Sequence, residues 1–420
     1  MKCYTHFVPL TAAFFSTLLF TNITSAMDYD KTIEEALKFG DGGAIKADIN
    51  YRWENVDQDL GAKTANANTI RTRLGVLSPK FLGFQGFAEY EGTHALQADY
   101  NDGRNNKPAF SNIGDPAQNE LNQLWLSYSI LDTVIKGGRQ KIEFDDHRFI
   151  SGVPWRQLEN TFDAVLITNK SLKNLTINAG YIGNVQTLLS TTENISAPIL
   201  NVNYKLGDYG NVIGYGYWFD YSDPSVVIRN KSNQTFGLRL NGETPKLYDH
   251  YSLLYTAEWS IQQDYGHRAI AYEANRYNVM GGFTAYFLKF QGAMEQLNGN
   301  GVSAFFTPIG ANHLFQGWAD LFAAVTPLNG LRDVFGTVSA KVWDDSVILT
   351  GVYHDFTDDT GQQHYGDEWD FQAVKKFGKH YSVMAKYAYY NADRLDGYLG
   401  TGVSNNTDTQ KIWLQGNINF

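Results

Sequence analysis

Apolar and polar residues alternate with a period of two along most of this chain, in stretches of about ten residues separated by turn-forming clusters. From Ala44 to Trp53, Ile45, Ala47, Ile49, Tyr51 and Trp53 share one face, and Lys46, Asp48, Asn50 and Arg52 share the other. Such a strand has one side in an apolar medium and one in water. Leu74 and Val76 likewise oppose Arg71 and Arg73, and Leu200, Val202, Tyr204 and Leu206 oppose Asn201, Asn203 and Lys205. At the end of the chain, Ile412, Leu414, Ile418 and Phe420 oppose Lys411, Gln415, Asn417 and Asn419.

Read throughout, the pattern predicts strands at 44–53, 68–77, 83–93, 120–130, 133–140, 162–169, 174–183, 198–206, 210–219, 232–241, 248–259, 271–281, 283–295, 333–342, 346–355, 368–377, 380–391 and 410–420. Their lengths suit tilted strands that cross a bilayer, which need about nine to eleven residues. The connections alternate short (78–82, 131–132, 170–173, 207–209, 242–247, 343–345, 378–379) and long (94–119, 141–161, 184–197, 220–231, 296–332, 392–409). Short periplasmic turns and long outer loops distinguish the two ends of an outer-membrane barrel. Trp53, Trp218, Phe219, Trp259, Trp343, Trp369 and Phe377 fall at strand ends, where interfacial girdles sit. The fold expected is all-β: a transmembrane antiparallel up-and-down barrel of about eighteen strands, with sixteen as the lower bound. Residues 314–326 admit one strand more. A soluble sandwich would have shorter strands, and no repeat of twenty to fifty residues marks a solenoid.

The N-terminus reads as a leader. Lys2 precedes the mostly apolar run Phe7 to Phe20, and Thr24-Ser25-Ala26 offers small residues for cleavage after Ala26. That run is too short for a helical span, and no later window holds eighteen consecutive apolar residues. The expected plan is a signal peptide over 1–26, a short periplasmic or plug segment over 27–43 and the barrel over 44–420. Cys3, the one cysteine, leaves with the leader, so no disulfide or cysteine metal site is expected, and no cofactor. The leader carries one lysine and no acidic residue, so its loss takes the net charge from −10 to −11. An acidic chain is a poor partner for nucleic acid. The partners expected are outer-membrane lipid, a hydrophilic solute, and the barrel-assembly machinery through the strand ending at Phe420.

Eighteen strands enclose an aqueous channel. Arg71, Arg73, Arg139, Lys205, Arg239, Lys289, Lys341 and Lys411 fall on predicted inward faces, with Glu89, Glu91, Asp163, Glu258, Glu295, Glu368 and Asp370. The densest polar stretch is GRQKIEFDDHRFISGVPWRQLENTFDAV, Gly138 to Val165, which holds Asp145, Asp146, His147, Arg148, Trp155 and Arg156. Folded into the lumen, its arginines and carboxylates have two readings: a solute-binding constriction, or a salt-bridge cluster bracing the wall.

That segment resembles the signature of the alginate export family of outer-membrane proteins. TIEEALKFG followed by DINYRWE, and GWADLFAAVTPLNGLRD from Gly317 to Asp333, resemble two further parts of the family pattern. The resemblance implies an eighteen-stranded barrel with an arginine- and lysine-rich pore that passes an anionic polyuronate. It implies pore-lining or bracing roles for Arg139, Arg148, Arg156 and Arg332, while Asp145, Asp146 and Asp163 depart from a strongly basic constriction. The candidate solute-binding residues are therefore Arg139, Asp145, Arg148, Arg156, Asp163, Arg71, Arg73, Arg239 and Arg332.

An outer-membrane lipase or protease is the rival class. Asp145-Asp146-His147 offers a base with an orienting carboxylate, but no Gly-x-Ser-x-Gly motif accompanies it. His354 and His364 fit no zinc spacing, and Asp355, Asp358 and Asp359 meet a calcium-loop pattern only loosely. The expected function is a passive channel for hydrophilic solutes in the outer membrane of a Gram-negative bacterium, with no chemical step. A carbohydrate, including an acidic polysaccharide such as alginate, is the expected solute, and a general or uptake porin is the alternative.

The leader predicts a mature chain beginning at Met27. Mass spectrometry of membrane fractions should find that N-terminus in the outer membrane; an intact Met1 or recovery in the cytosol would contradict it.

Overall fold

The computed structural model describes residues 23–59, 62–323, 325–393 and 407–420; the apolar leader run lies outside them. Eighteen long strands follow in chain order: β1 Gly43–Gln58, β2 Ala65–Leu77, β3 Phe84–Asp99, β4 Asn119–Ile130, β5 Thr133–Gln140, β6 Thr161–Asn169, β7 Leu175–Gln186, β8 Thr192–Lys205 and β9 Asn211–Phe219. The second half continues with β10 Asn233–Glu243, β11 Tyr251–Gln263, β12 Glu273–Ala285, β13 Leu288–Leu297, β14 Leu331–Val342, β15 Val347–Thr357, β16 His364–Phe377, β17 Tyr381–Ala392 and β18 Thr409–Asn419. Each pairs antiparallel with its neighbour in sequence. β18 returns to pair with β1, from Thr409 opposite Gln58 to Asn419 opposite Asp48, and the sheet closes. In hydrocarbon every amide must find a partner within the protein, and this closure removes the two free edges.

The pleat sorts the side chains as the alternation predicts. Leu74, Val76, Leu126, Leu253 and Leu414 stand exposed on the outer wall, while Arg71, Arg73, Glu258 and Lys411 are buried inside. Several predicted boundaries move; β1 and β3 run on to Gln58 and Asp99. The break expected between 271–281 and 283–295 lies inside β12, where Gly281 is opposite Gly292 of β13. The chain reverses instead at Tyr286 and Phe287, where Tyr286 adopts a left-handed φ of 55°. The hairpin predicted as loop 184–197 also tightens, because β7 and β8 run on to Gln186 and from Thr192. Phe219 is no girdle residue; it is buried in the lumen. Residues 314–326 hold no strand among those described.

Three outer loops fold inward: 100–118, 141–160 and 298–330. Ile150 pairs with Ile309, Ser151 N–H donates to the Ile309 carbonyl (3.0 Å), and Ala311 N–H donates to that of His147 (2.9 Å). The second and third loops are thus one body. It packs Phe149, Ile150, Phe305 and Ile309 against Phe162, Ile182, Tyr215 and Tyr217 of the wall in a continuous apolar core. The first loop joins when Gln157 N–H donates to Asp115 (3.0 Å).

At the periplasmic end, helix α1 (Ile23–Ala36) lies against the β16–β17 turn. Tyr381 donates to Asp30 (2.9 Å), and His380 Nε2 meets Glu34 at 2.7 Å. Phe420 exchanges backbone hydrogen bonds with Ala47, 3.0 and 2.8 Å, and its ring stacks on His380 with centroids 4.3 Å apart.

Phe420 thus locks both strands of the seam. Deleting it should lower the fraction of folded, heat-modifiable protein on gel electrophoresis at low expression, and an unchanged fraction would assign the seam's strength to the ladder alone.

Candidate functional site

The inserted loops meet the wall through buried ion pairs. Arg148 is 2% exposed and lies along Glu295 of β13, with Nε to Oε1 at 3.0 Å and Nη2 to Oε2 at 3.3 Å. Its Nη1 donates to Asn312 (3.0 Å), and its plane stacks over Phe315 at 4.6 Å. Glu295 also receives Arg276 (2.6 Å) and Gln316 (2.6 Å). Arg156 reaches Glu54 of β1 (3.2 Å), Asp115 (3.7 Å) and Asp320 (3.4 Å), so one guanidinium ties three loops to the seam. A planar fork with five donors suits that role better than an ammonium.

Around Arg156 sits a second cluster. The Trp155 ring stacks on His313 with centroids 4.1 Å apart, and the Arg52 guanidinium lies over its face at 4.3 Å. Lys386 of β17 projects between Trp155 and Trp318, 4.1 and 3.8 Å from their ring centres. Burial pushes the His313 imidazole down to about 3, so the ring is neutral. Its tautomer then follows: Nε2 accepts from Lys386 Nζ (2.7 Å), and Nδ1–H donates to Asp320 (2.6 Å). Asp320 also takes Lys411 at 3.3 Å. Below it, the N–H groups of Trp318 and Ala319 donate to Asp370 (3.2 Å) and Glu368 (2.7 Å) of β16.

The wall arginines are compensated too. Arg71 pairs with Asp48, Arg73 with Glu91 and Glu159 (the latter 3.1 Å), and Arg239 with Asp146 and Glu258 (the latter 2.8 Å). Asp145 accepts from Asn201 (2.8 Å). Arg148, Arg156, Arg71, Arg73, Arg239 and Asp145 are thus brought together inside the barrel.

Three predicted residues are not. Arg139 and Asp163 face each other across β5 and β6 at 2.8 Å, but the register puts Arg139 beside Leu124, an outward residue that is 52% exposed. Phe162 and Gln140 take the inward side. Near the outer rim the loops make the lumen apolar and the outer face meets water, so the polarity rule for the membrane zone inverts. Arg332 is displaced for a similar reason: Asp333 points inward to His354 (2.9 Å), and Arg332 falls on the outer face against Gly361.

Reading the sequence missed Arg52, Asp115, His313, Asp320 and Lys386. Lys386 carries a signal, as the single charge on an inward face otherwise made of Ser382, Met384, Ala388 and Tyr390. Asp115, His313 and Asp320 lie in loops, where no periodicity fixes direction.

The proposed orienting carboxylate is otherwise engaged, since Asp146 holds Arg239, while His147 Nδ1 makes no hydrogen bond and lies 3.9 Å from Glu143. His364 sits between Asp355 (2.9 Å) and Asp393 (3.3 Å) at the outer rim.

Residues 44–268 match the family model described as alginate export. Among solved structures, OccAB2 of Acinetobacter baumannii aligns with a TM-score of 0.72 at 14% identity, over 91% of this chain and 99% of its own. OccAB1 of the same organism gives 0.69 at 16%, over 92% and 99%. OpdK of Pseudomonas aeruginosa, in its structure with vanillate, gives 0.66 at 12%, over 90% and 98%. The shared fold is a closed antiparallel barrel of eighteen strands. No curated protein sequence matches.

Arg148 is a buried partner rather than a free donor. Arg148→Ala should lower unfolding stability by about 3–5 kcal/mol, because Glu295 loses a partner in a water-poor site. Arg139→Ala, at the half-exposed rim, should cost about 1 kcal/mol or less. Denaturant midpoints in detergent test both, and wild-type stability in Arg148→Ala would contradict the bracing role.

Proposed function

Because this chain belongs to the alginate export family, we propose that it is a passive outer-membrane channel for hydrophilic solutes, with acidic carbohydrates as its preferred class. The observation that carries the reading is the inner wall below the loops. There Asn203, Asn241, Asn278, Gln291, Gln372 and Gln415 present partly exposed amides from strands spread around the barrel. Amides donate and accept at once, and they replace water around sugar hydroxyls without fixing them strongly. That chemistry suits diffusion along a gradient.

A carbohydrate with carboxylates fits a family described by alginate export, and a barrel of the same fold has been crystallised with vanillate, itself a carboxylate. The general-porin alternative shares the same wall and differs only in breadth of solute. A hydrolytic function is less well supported, since Asp145 and Asp146 are held by Asn201 and Arg239. The proposed site is the outer membrane, entered after loss of a leader ending at Ala26.

Purified protein in planar bilayers should form open channels, and liposomes containing it should swell in glucose and in sodium glucuronate. Absence of conductance, or release of fatty acid or peptide from added substrates, would overturn the channel reading.

A further inference from the structure

Glu368 and Asp370 are consecutive inward residues of β16, and each is 0% exposed. Each carboxyl is only half satisfied. Glu368 Oε1 accepts from the N–H of Ala319 (2.7 Å), and Asp370 Oδ2 from that of Trp318 (3.2 Å). Among the described residues, Glu368 Oε2 and Asp370 Oδ1 are buried with no donor. The two side chains lie within hydrogen-bonding reach of one another. Two carboxylates only accept and cannot bond to each other, whereas a carboxylic acid donates to a carboxylate. One proton held between the pair satisfies both orphaned oxygens.

Loop 298–330 is fitted to the pair. Gly317 takes a left-handed φ of 80°, and a Cβ there would collide with the Glu368 carboxyl. Charged groups face the pair from the neighbouring elements. On β15, His354 Nε2 lies 3.6 Å from Asp370 Oδ2, while its Nδ1 meets Asp333 of β14 at 2.9 Å. On β17, Lys386 is engaged by His313 and by the Trp155 and Trp318 rings. In the loop, Asp320 is held by Arg156 and Lys411, and Arg52 of β1 pairs with Asp115. None of these cations bonds to the two orphaned oxygens. With both carboxyls charged, like charges would face each other in a buried site. Water entering beneath Gly317–Ala319 relieves that repulsion, and it enters only if the loop lifts.

We propose that a proton shared by Glu368 and Asp370 latches loop 298–330 onto the wall, and that its loss at higher pH frees the loop and widens the bore. The inference rests on the channel reading and adds a pH-operated gate to it. The seated loop holds a proton that the hydrated, released pair gives up, so the seat weakens as pH rises. The effect begins above the ordinary carboxylate range, where released side chains are ionised. It ends where the seated pair has lost its proton too. Within that window the ratio of released to seated channels climbs about tenfold per pH unit.

Single-channel recordings of the full mature barrel in planar bilayers, stepped from about pH 5 to about pH 9, read that ratio. Time in a high-conductance state, relative to a low-conductance one, should rise about tenfold per pH unit over part of the range. Glu368→Gln donates a permanent hydrogen bond to Asp370 and does not ionise. It should stay in the low-conductance state and lose the pH response. Infrared spectra of the protein in detergent give a second measurement. Wild type should show a carboxylic-acid C=O band that fades over the same pH range and that Glu368→Gln lacks. Should Glu368→Gln fail to fold, Asp370→Asn supplies both readouts. A wild-type ratio that ignores pH, or a variant that titrates as wild type does, overturns the latch and leaves the channel reading intact. A wild type without conductance overturns the channel reading, while the infrared band still reports on the shared proton.

Discussion

Closure of the sheet between its first and last strands is the interaction on which everything else depends. A strand edge in hydrocarbon would leave a row of amides without partners, each costing several kcal/mol. The β1–β18 ladder removes that edge along eleven paired positions from Gln58 to Asp48. Only a closed cylinder has an inside, and only an inside protected from lipid can hold charged side chains such as Arg276, Glu258 and Glu295. The alternation of each strand follows from this division: outward positions meet acyl chains, and inward ones meet water or the loops.

Within the cylinder the positive charges fall in two settings. The arginines are spent on geometry. Arg148, Arg156, Arg239 and Arg276 are each held by one or more carboxylates, and the penalty of burying them is offset only because every partner is in place. Replacing such a pair with apolar residues of equal volume need not weaken the barrel, but removing one member leaves an uncompensated charge. Lys46, Lys136, Lys205, Lys289, Lys341 and Lys376, at the opposite ends of their strands, make no ion pair among the described residues, and Lys136 lies over the face of Trp125.

Much of the architecture was legible in the residues because lipid imposes a strict period. All eighteen strands follow from alternation, and their ends move by several residues, as where the break expected between 271–281 and 283–295 falls inside β12. The site was legible only in part. Arg71, Arg73 and Arg239 follow the strand pattern and do point inward. Arg139 and Asp163 mislead because they sit where water and core exchange sides, so a polar residue there marks the outer face. Asp115, His313 and Asp320 could not be placed at all. They act through loop geometry, and their partners Arg52, Arg156 and Lys386 are far away in sequence.

The pairing of Ile150 with Ile309, and of Arg148 with Glu295, has a consequence for the order in which the molecule is made. Loop 141–160 leaves the first third of the chain and takes part of its seat from strand β13 and the segment after it, about 150 residues later. Until those elements arrive, the loop has no carboxylate for Arg148 and no strand for Ile150. The seat of the loop is therefore complete only in a chain that carries β13 and the segment 298–330. A chain truncated before them would lack both the seat of the loop and the β18 edge that closes the sheet on β1.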